Sequence, residues 1–258
     1  MRQFSLKNNT GEVYRLNSFD NFFHEPSGLG FERNATFQKI GSRYEIIQDG
    51  FNQTPIKGQI MFKSGVTVSA YNRYLQFRNF LQQIPLTLVY RIPGGEFLLD
   101  CVPGAVEKSE INSSLGMDVG IELIPLSMWY QDIKKSNNGA SVSIISDSLI
   151  ESPCCLSFSG VTKSNANLSW SQSVGGVTVT SGTLTGVTIA STDTTYVRTD
   201  TNPYQIYKVS SGGTKTDLYG KSNFSTKRFP LLMKGSNTFT VSGASLITIE
   251  GKILYETV

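Results

Sequence analysis

A lone histidine, three cysteines and 20 carboxylates are the residues of this chain whose types bear on catalysis. A serine or cysteine nucleophile needs an imidazole base, and His24 is the only one in the sequence. No Gly-x-Ser-x-Gly elbow accompanies it, and the adjacent Cys154 and Cys155 carry no thiol-catalyst motif. A zinc site needs a second histidine or a cysteine cluster at ligand spacing; neither exists, so no metal and no cofactor are expected. Gly28-Leu29-Gly30 lacks the third glycine and following helix of a dinucleotide loop, and Pro93-Gly94-Gly95 falls between strands. Two carboxylates in a cleft would serve glycoside cleavage, but no spacing selects a pair. The expectation is a non-enzyme. Trp170, Tyr196 and Tyr204 have the ring faces of a sugar platform, although burial in a β core is the plainer expectation for them.

Charge excludes other classes. Lysine and arginine number 23 against 20 acids in 258 residues, a net charge of +3. The basic residues do not cluster, so neither a nucleic-acid footprint nor an anionic-membrane patch is expected. No apolar run reaches the roughly 18 residues of a membrane span, and the start lacks a secretory signal pattern, so a soluble protein made in a reducing compartment is expected.

The elements that would position any site are mostly strands. One stretch, Ser69 to Ile84, is helical by pattern: Tyr71, Tyr74, Phe77, Phe80, Leu81 and Ile84 recur every three or four residues and form the face expected to pack on a sheet. Ser69 is its N-cap, and Pro85 pushes Ile84 out of the helical region. Ile56–Phe62 before it and Leu86–Tyr90 after it alternate with the period of a strand. Residues 3 to 16 read as a hairpin through Lys7-Asn8-Asn9-Thr10-Gly11. The segment from Asn17 to Gly50 is irregular apart from Tyr44-Glu45-Ile46-Ile47, which suggests a lid, an arm or an inter-subunit contact. Pro93-Gly94-Gly95 and Pro103-Gly104 are expected to turn the chain on either side of Phe97–Val102, with Ala105–Glu110 and Met117–Pro125 as further strands.

At Lys134 to Gly139 the composition turns polar, and a domain boundary is placed there, dividing 1–135 from 136–258. Of the 28 aromatic residues, 18 precede it. Short runs follow, among them Ser141–Ile145, Val177–Thr180, Val187–Ala190, Gln205–Val209, Phe239–Val241 and Leu246–Leu254. Their spacing is that of an antiparallel sandwich or barrel.

In order and spacing the first half resembles the distal tail protein (Dit) family of siphophages, at the tail tip or baseplate hub. The carrying residues are Gly28-Leu29-Gly30-Phe31, Ile56-x-Gly58-x-Ile60-x-Phe62, Tyr71-x-x-Tyr74-x-x-Phe77-x-x-Phe80 and Leu86-x-Leu88-x-Tyr90. The series continues with Gly94-Gly95-x-Phe97, Val106-x-Lys108-x-Glu110 and Trp129-Tyr130, and Gly235-x-Asn237-x-Phe239 resembles the family's ending. Met128 departs from the proline that often precedes the tryptophan. The resemblance implies a mainly β chain: a ring-forming belt domain, a β-sandwich flanked by one helix, followed by a galectin-like antiparallel β-sandwich. It further implies a homohexameric ring in the virion, at the distal tail or baseplate, made in the host cytoplasm. Such a ring joins the tail tube protein to the tail-associated hub or lysin protein and in many phages to receptor-binding proteins, and DNA passes through it without specific binding. A cell-wall carbohydrate-binding protein acting through the second domain is the alternative. Six-fold rings in negative stain would support the first reading, and saccharide retention by residues 140–258 the second.

Overall fold

Stretches of β-branched and aromatic residues broken by Gly, Pro and Asn fold here as antiparallel ladders, and one amphipathic segment folds as a helix. The computed structural model describes residues 3–65, 68–110, 116–223 and 229–258. They divide into two units, Met1–Tyr130 with Tyr255–Val258, and Gln131–Leu254.

In the first unit β1 (Gln3–Lys7), β2 (Val13–Arg15), β3 (Asn21–Ser27), β4 (Phe31–Ile40), β5 (Arg43–Gln53) and β6 (Ile56–Phe62) precede α1 (Ala70–Leu81). After it come β7 (Leu86–Ile92), β8 (Gly95–Lys108), β9 (Met117–Pro125) and the start of β10 (Trp129–Asn138). One strand set runs β10-β8-β7-β1-β2 and the other β3-β6-β9-β8, so the long β8 belongs to both. Phe4, Leu6, Leu88 and Tyr90 from the first set share one buried cluster with Ile56, Ile60, Phe62, Val119 and Ile121 from the second. This is a β-sandwich with one flanking helix. Tyr255 and Val258 pack against the same cluster.

The helix starts where expected, with the Asn72 N–H donating to Ser69 Oγ at 3.2 Å. Ala70, Phe77, Phe80 and Leu81 are buried and Tyr74 packs partly against the core. A side chain of that size stabilises by roughly 1.5–3 kcal/mol when withdrawn from water. Two members of the expected face are not on it: Tyr71 is 44% exposed and Ile84 51% exposed. The buried line follows Ala70, Phe77 and Leu81, which leaves Tyr71 at its margin beneath Lys108 Nζ, 5.5 Å from the ring centroid. Ile84 lies beyond the last helical turn, where Gln82 and Gln83 N–H groups close on Asn79 and Phe80.

Pro103-Gly104 does not turn the chain. Β8 runs through it, and the pairing with β9 shifts register between Pro103 and Val106, so the pair is absorbed as an irregularity in one strand. Glu110 lies past the end of β8 and is exposed. Residues 134–138, where the composition places a domain boundary, are strand within β10.

The second unit holds the rest of β10 and then β11 (Ser141–Ser146), β12 (Ser152–Ser159), β13 (Lys163–Val174), β14 (Val177–Ile189) and β15 (Thr194–Arg198). They are followed by β16 (Gln205–Val209), β17 (Lys215–Asp217), β18 (Ser222–Asn223), β19 (Leu231–Leu232), β20 (Gly235–Val241) and β21 (Leu246–Tyr255). One sheet has the order β17-β16-β15-β12-β21-β10 and the other β11-β20-β13-β14-β18. Val177–Thr180 and Val187–Ala190, expected as two strands, belong largely to the single β14.

Candidate assembly surface

His24 has Nδ1 3.9 Å from Glu25 Oε1 and Nε2 3.8 Å from Asp118 Oδ1, beyond hydrogen-bond length. Beside it a cleft of ≈ 280 Å³ is edged by Glu25, Lys57, Glu107 and Glu122, with Lys57 and Glu122 paired at 3.1 Å. Among the described residues no group of three His, Cys, Asp or Glu side chains is placed to hold a metal ion. Cys101, Cys154 and Cys155 are buried free thiols. Burial pushes each thiol up to about 12, so at neutral pH none is the thiolate a nucleophile requires.

The motif residues account for the fold. Tyr90 stacks on Phe4 at 4.6 Å and lies 6.1 Å from the fully buried Trp129. Tyr130 Oη donates to Asp100 Oδ1 at 2.7 Å, which also accepts from Thr87 Oγ1 at 3.0 Å. A Cβ at Gly58 would stand 2.4 Å from the Phe23 ring, so glycine there makes room for that ring over β6. Ile92 pairs with Gly95, which makes Pro93-Gly94 the two-residue turn between β7 and β8. Asn237, which is fully buried, accepts from Gln172 Nε2 at 3.0 Å and from the Met233 N–H at 3.0 Å, and it donates to the Met233 carbonyl at 2.6 Å.

The unusual surface lies between β3 and β6. Strands β4 and β5 form their own two-stranded sheet, paired from Phe31↔Gln53 to Ile40↔Arg43. Gly41, at φ +63°, supplies the left-handed conformation that the two-residue turn between them needs. At the base, Gly28 has φ +81°, and a Cβ there would stand 2.0 Å from the Pro55 carbonyl oxygen. Thr54 Oγ1 donates to the Gly28 carbonyl at 3.0 Å, and Gln53 Nε2 donates to that of Gly30. The two glycines therefore sit where the ribbon leaves and rejoins the sandwich, Gly28 for close approach and Gly30 as an acceptor. Along the ribbon Phe37 is 59% exposed, Tyr44 70% and Ile47 59%, with Ile40 and Ile46 exposed as well. A register shift between Thr36 and Phe37 breaks the alternation, which is why pattern reading found only Tyr44–Ile47 as a strand and missed Phe37 and Ile40 as surface.

Of the residues considered for a sugar platform, Trp170 is buried at 3% exposure, its indole lying where a Cβ on Gly182 would clash at 2.0 Å. Trp170 is core. Tyr196 is half-buried and stacked on Tyr207 at 5.0 Å, and Tyr204 is 42% exposed. Tyr207 and Tyr219 were not singled out by sequence; cross-strand pairing of Tyr196 with Tyr207 is what brings the rings together.

Residues 3–126 match the family profile described as the distal tail protein, N-terminal domain. Comparison with curated protein sequences finds no match. Among solved structures, a chain of the phage p2 baseplate in its activated conformation, seen with strontium and with calcium, aligns at TM-score 0.59 and 14% identity over 100% of both chains. The Dit protein of phage SPP1, described as a paradigm of the hub adsorption apparatus of phages that infect Gram-positive bacteria, aligns at TM-score 0.69 and 11% identity, covering 97% of this chain and 99% of that one. At these identities the likeness establishes the fold.

Proposed function

We propose that this chain, a member of the distal tail protein family through its domain at residues 3–126, closes into a homohexameric ring that joins the tail tube to the rest of the baseplate. It is a structural protein of the phage distal tail or baseplate hub. The observation that carries the ring reading is the β4–β5 ribbon, whose Phe37, Ile40, Tyr44, Ile46 and Ile47 leave an apolar surface uncovered. An isolated two-stranded hairpin is marginal in water, and its unpaired edges invite another strand. A neighbouring copy that covers the ribbon with a different surface makes a heterologous contact, and six such contacts close a ring when the rotation is right. The tail-associated hub or lysin protein and receptor-binding proteins are the further partners of this reading, and the virion tail tip is its location.

The ring would enclose a passage for DNA. A net charge of +3 spread without clusters suits a conduit, because phosphate neutralisation would hold the duplex back. No catalytic step is assigned. Negative-stain microscopy of the purified chain tests the proposal: six-fold rings are expected, and a monomer at high concentration overturns it.

A further inference from the structure

A tyrosine-lined groove lies in the second unit, and we propose that it binds an extended, uncharged oligosaccharide. The groove is lined by Pro203 and Tyr204 ahead of β16, by β16 and β17, and by Tyr219 in the short turn after them, with β15 behind Tyr207. Tyr196, Tyr207 and Asp217 are direct partners across the three strands, so their side chains leave the sheet on one face. Tyr207 stacks on Tyr196, and Lys215 Nζ sits 3.8 Å from the Tyr207 centroid while donating to Gln205 Oε1 at 3.1 Å. Tyr219 is fixed by its N–H, which donates to Asp217 Oδ1 at 3.1 Å. The Phe229 ring contacts both Tyr204, at 4.8 Å and edge-on, and Tyr219, at 6.2 Å and stacked. The open groove measures ≈ 490 Å³, and a shallow neighbouring hollow of ≈ 660 Å³ shares Pro203, Tyr204 and Tyr219 with it, so those residues border two subsites.

The side chains select the ligand class. A pyranose has C–H faces that rest on aromatic rings and an edge of hydroxyls that both donate and accept. Tyr204 and Tyr219, 42% and 44% exposed, supply ring surface. Gln205, Lys215 and Asp217 supply donors and acceptors at the rim. Charge argues against an anionic polymer. Among the described residues, Lys215 is engaged by Gln205 and the Tyr207 ring, and Arg198 beside the second hollow is held by Asp200 through bonds of 2.9 and 2.7 Å, so neither cation is left over for a phosphate. A proline-rich peptide would use the slots between rings but would leave most of the polar rim without partners. Two adjoining subsites suit a chain of sugars better than a single one.

The experiment uses the full chain on an array of neutral oligosaccharides of hexose, N-acetylhexosamine and 6-deoxyhexose units, with a glycerol-phosphate polymer and a proline-rich peptide beside them. At least one neutral oligosaccharide is expected to be retained with little dependence on salt. Tyr219→Ala and Tyr204→Ala are each expected to weaken retention by about tenfold or more. Asp217→Asn, a change at an exposed carboxylate that preserves the acceptor for Tyr219, guards against loss of fold in the tyrosine variants and is expected to weaken it by about threefold. Retention of none of the neutral glycans, retention only of the phosphate polymer or only of the peptide, or unaltered retention by Asp217→Asn together with a well-folded Tyr219→Ala overturns the proposal. Ring formation is read separately in negative stain, so a negative array leaves the hub reading standing.

Discussion

Two long hairpins of this protein, β4–β5 and β13–β14, share their local chemistry and differ in what surrounds them. Both are antiparallel ribbons of ten or more residues per strand, and both carry register shifts. In β13–β14 the side chains of Leu168, Trp170, Gln172, Leu184, Val187 and Ile189 are buried, and each strand has a further neighbour, β20 on one side and β18 on the other. In β4 only Ala35 is even partly withdrawn from solvent, and no third strand pairs with the ribbon among the described residues. Strand formation is thus a local matter of propensity and turn chemistry, whereas burial is supplied by whatever lies above and beside the strand. A ribbon with aromatic and β-branched side chains and no second layer of its own leaves that apolar surface open to another molecule.

The comparison is tested hardest where the second layer is intrinsic. Leu81→Asp puts a carboxylate at a position 5% exposed against the sandwich of the first unit. It is expected to cost several kcal/mol in denaturant unfolding and to abolish rings together with the fold. An unchanged midpoint would show that α1 packs through another face. Gly182→Val is the counterpart in the buried hairpin, since its Cβ would meet Trp170 Cζ2 at 2.0 Å. Overpacking of that kind is expected to cost about 1–3 kcal/mol. A neutral result would mean that β13–β14 is as unconstrained as β4–β5, which would erase the contrast.

A smaller effect comes from charge in the second unit. The Lys208 ammonium, 2.8 Å from Asp193 Oδ2, and the Ala190 N–H hold the Asp193 carboxyl below the usual carboxylate range. Arg198 does the same to Asp200. A depressed folded-state pKa contributes stability that is present above the unfolded value near 4 and is lost as pH falls through the folded one. Melting followed from pH 6 downward, roughly the span in which such carboxylates lose their charge, is therefore expected to fall below about pH 4, and less steeply in Asp193→Asn. An equal slope in that variant would remove Asp193 as a contributor.

Much of this was legible in the residues. The cap at Ser69, the spacing of Phe77, Phe80 and Leu81, and the alternation of Ile56–Phe62 each follow from one local rule that nothing distant opposes. Tyr71 and Ile84 were misplaced because a spacing rule gives the direction of a stripe but not its width or its end. Pro103-Gly104 has the composition of a turn, yet the strand continues because β9 pairs on both sides of the irregularity. The ribbon was the least legible feature. Its apolar residues follow no single period, since the shift at Thr36 and Phe37 changes which residues share a face and no buried side imposes alternation. The tyrosine groove was half visible: Tyr196 and Tyr204 stand out in polar surroundings, whereas Tyr196 meets Tyr207 only through strand pairing and Tyr219 joins them from the turn after β17.

The smallest expected change in stability carries the most information about the ribbon. Phe37→Ser with Ile46→Ser removes two apolar side chains that are 59% and 50% exposed and that face each other as cross-strand partners. If water already surrounds them in the isolated chain, thermal unfolding should move by no more than about 0.5 kcal/mol, the range of an ordinary surface change. If a neighbouring copy covers them, the same variant should run as a monomer in size-exclusion chromatography while the parent runs as a ring. Stability and assembly would then separate at one pair of residues, which no substitution in the sandwich core can achieve. Rings that persist would move the contact away from the ribbon, and a drop of several kcal/mol would mean that β4–β5 is covered by its own unit after all.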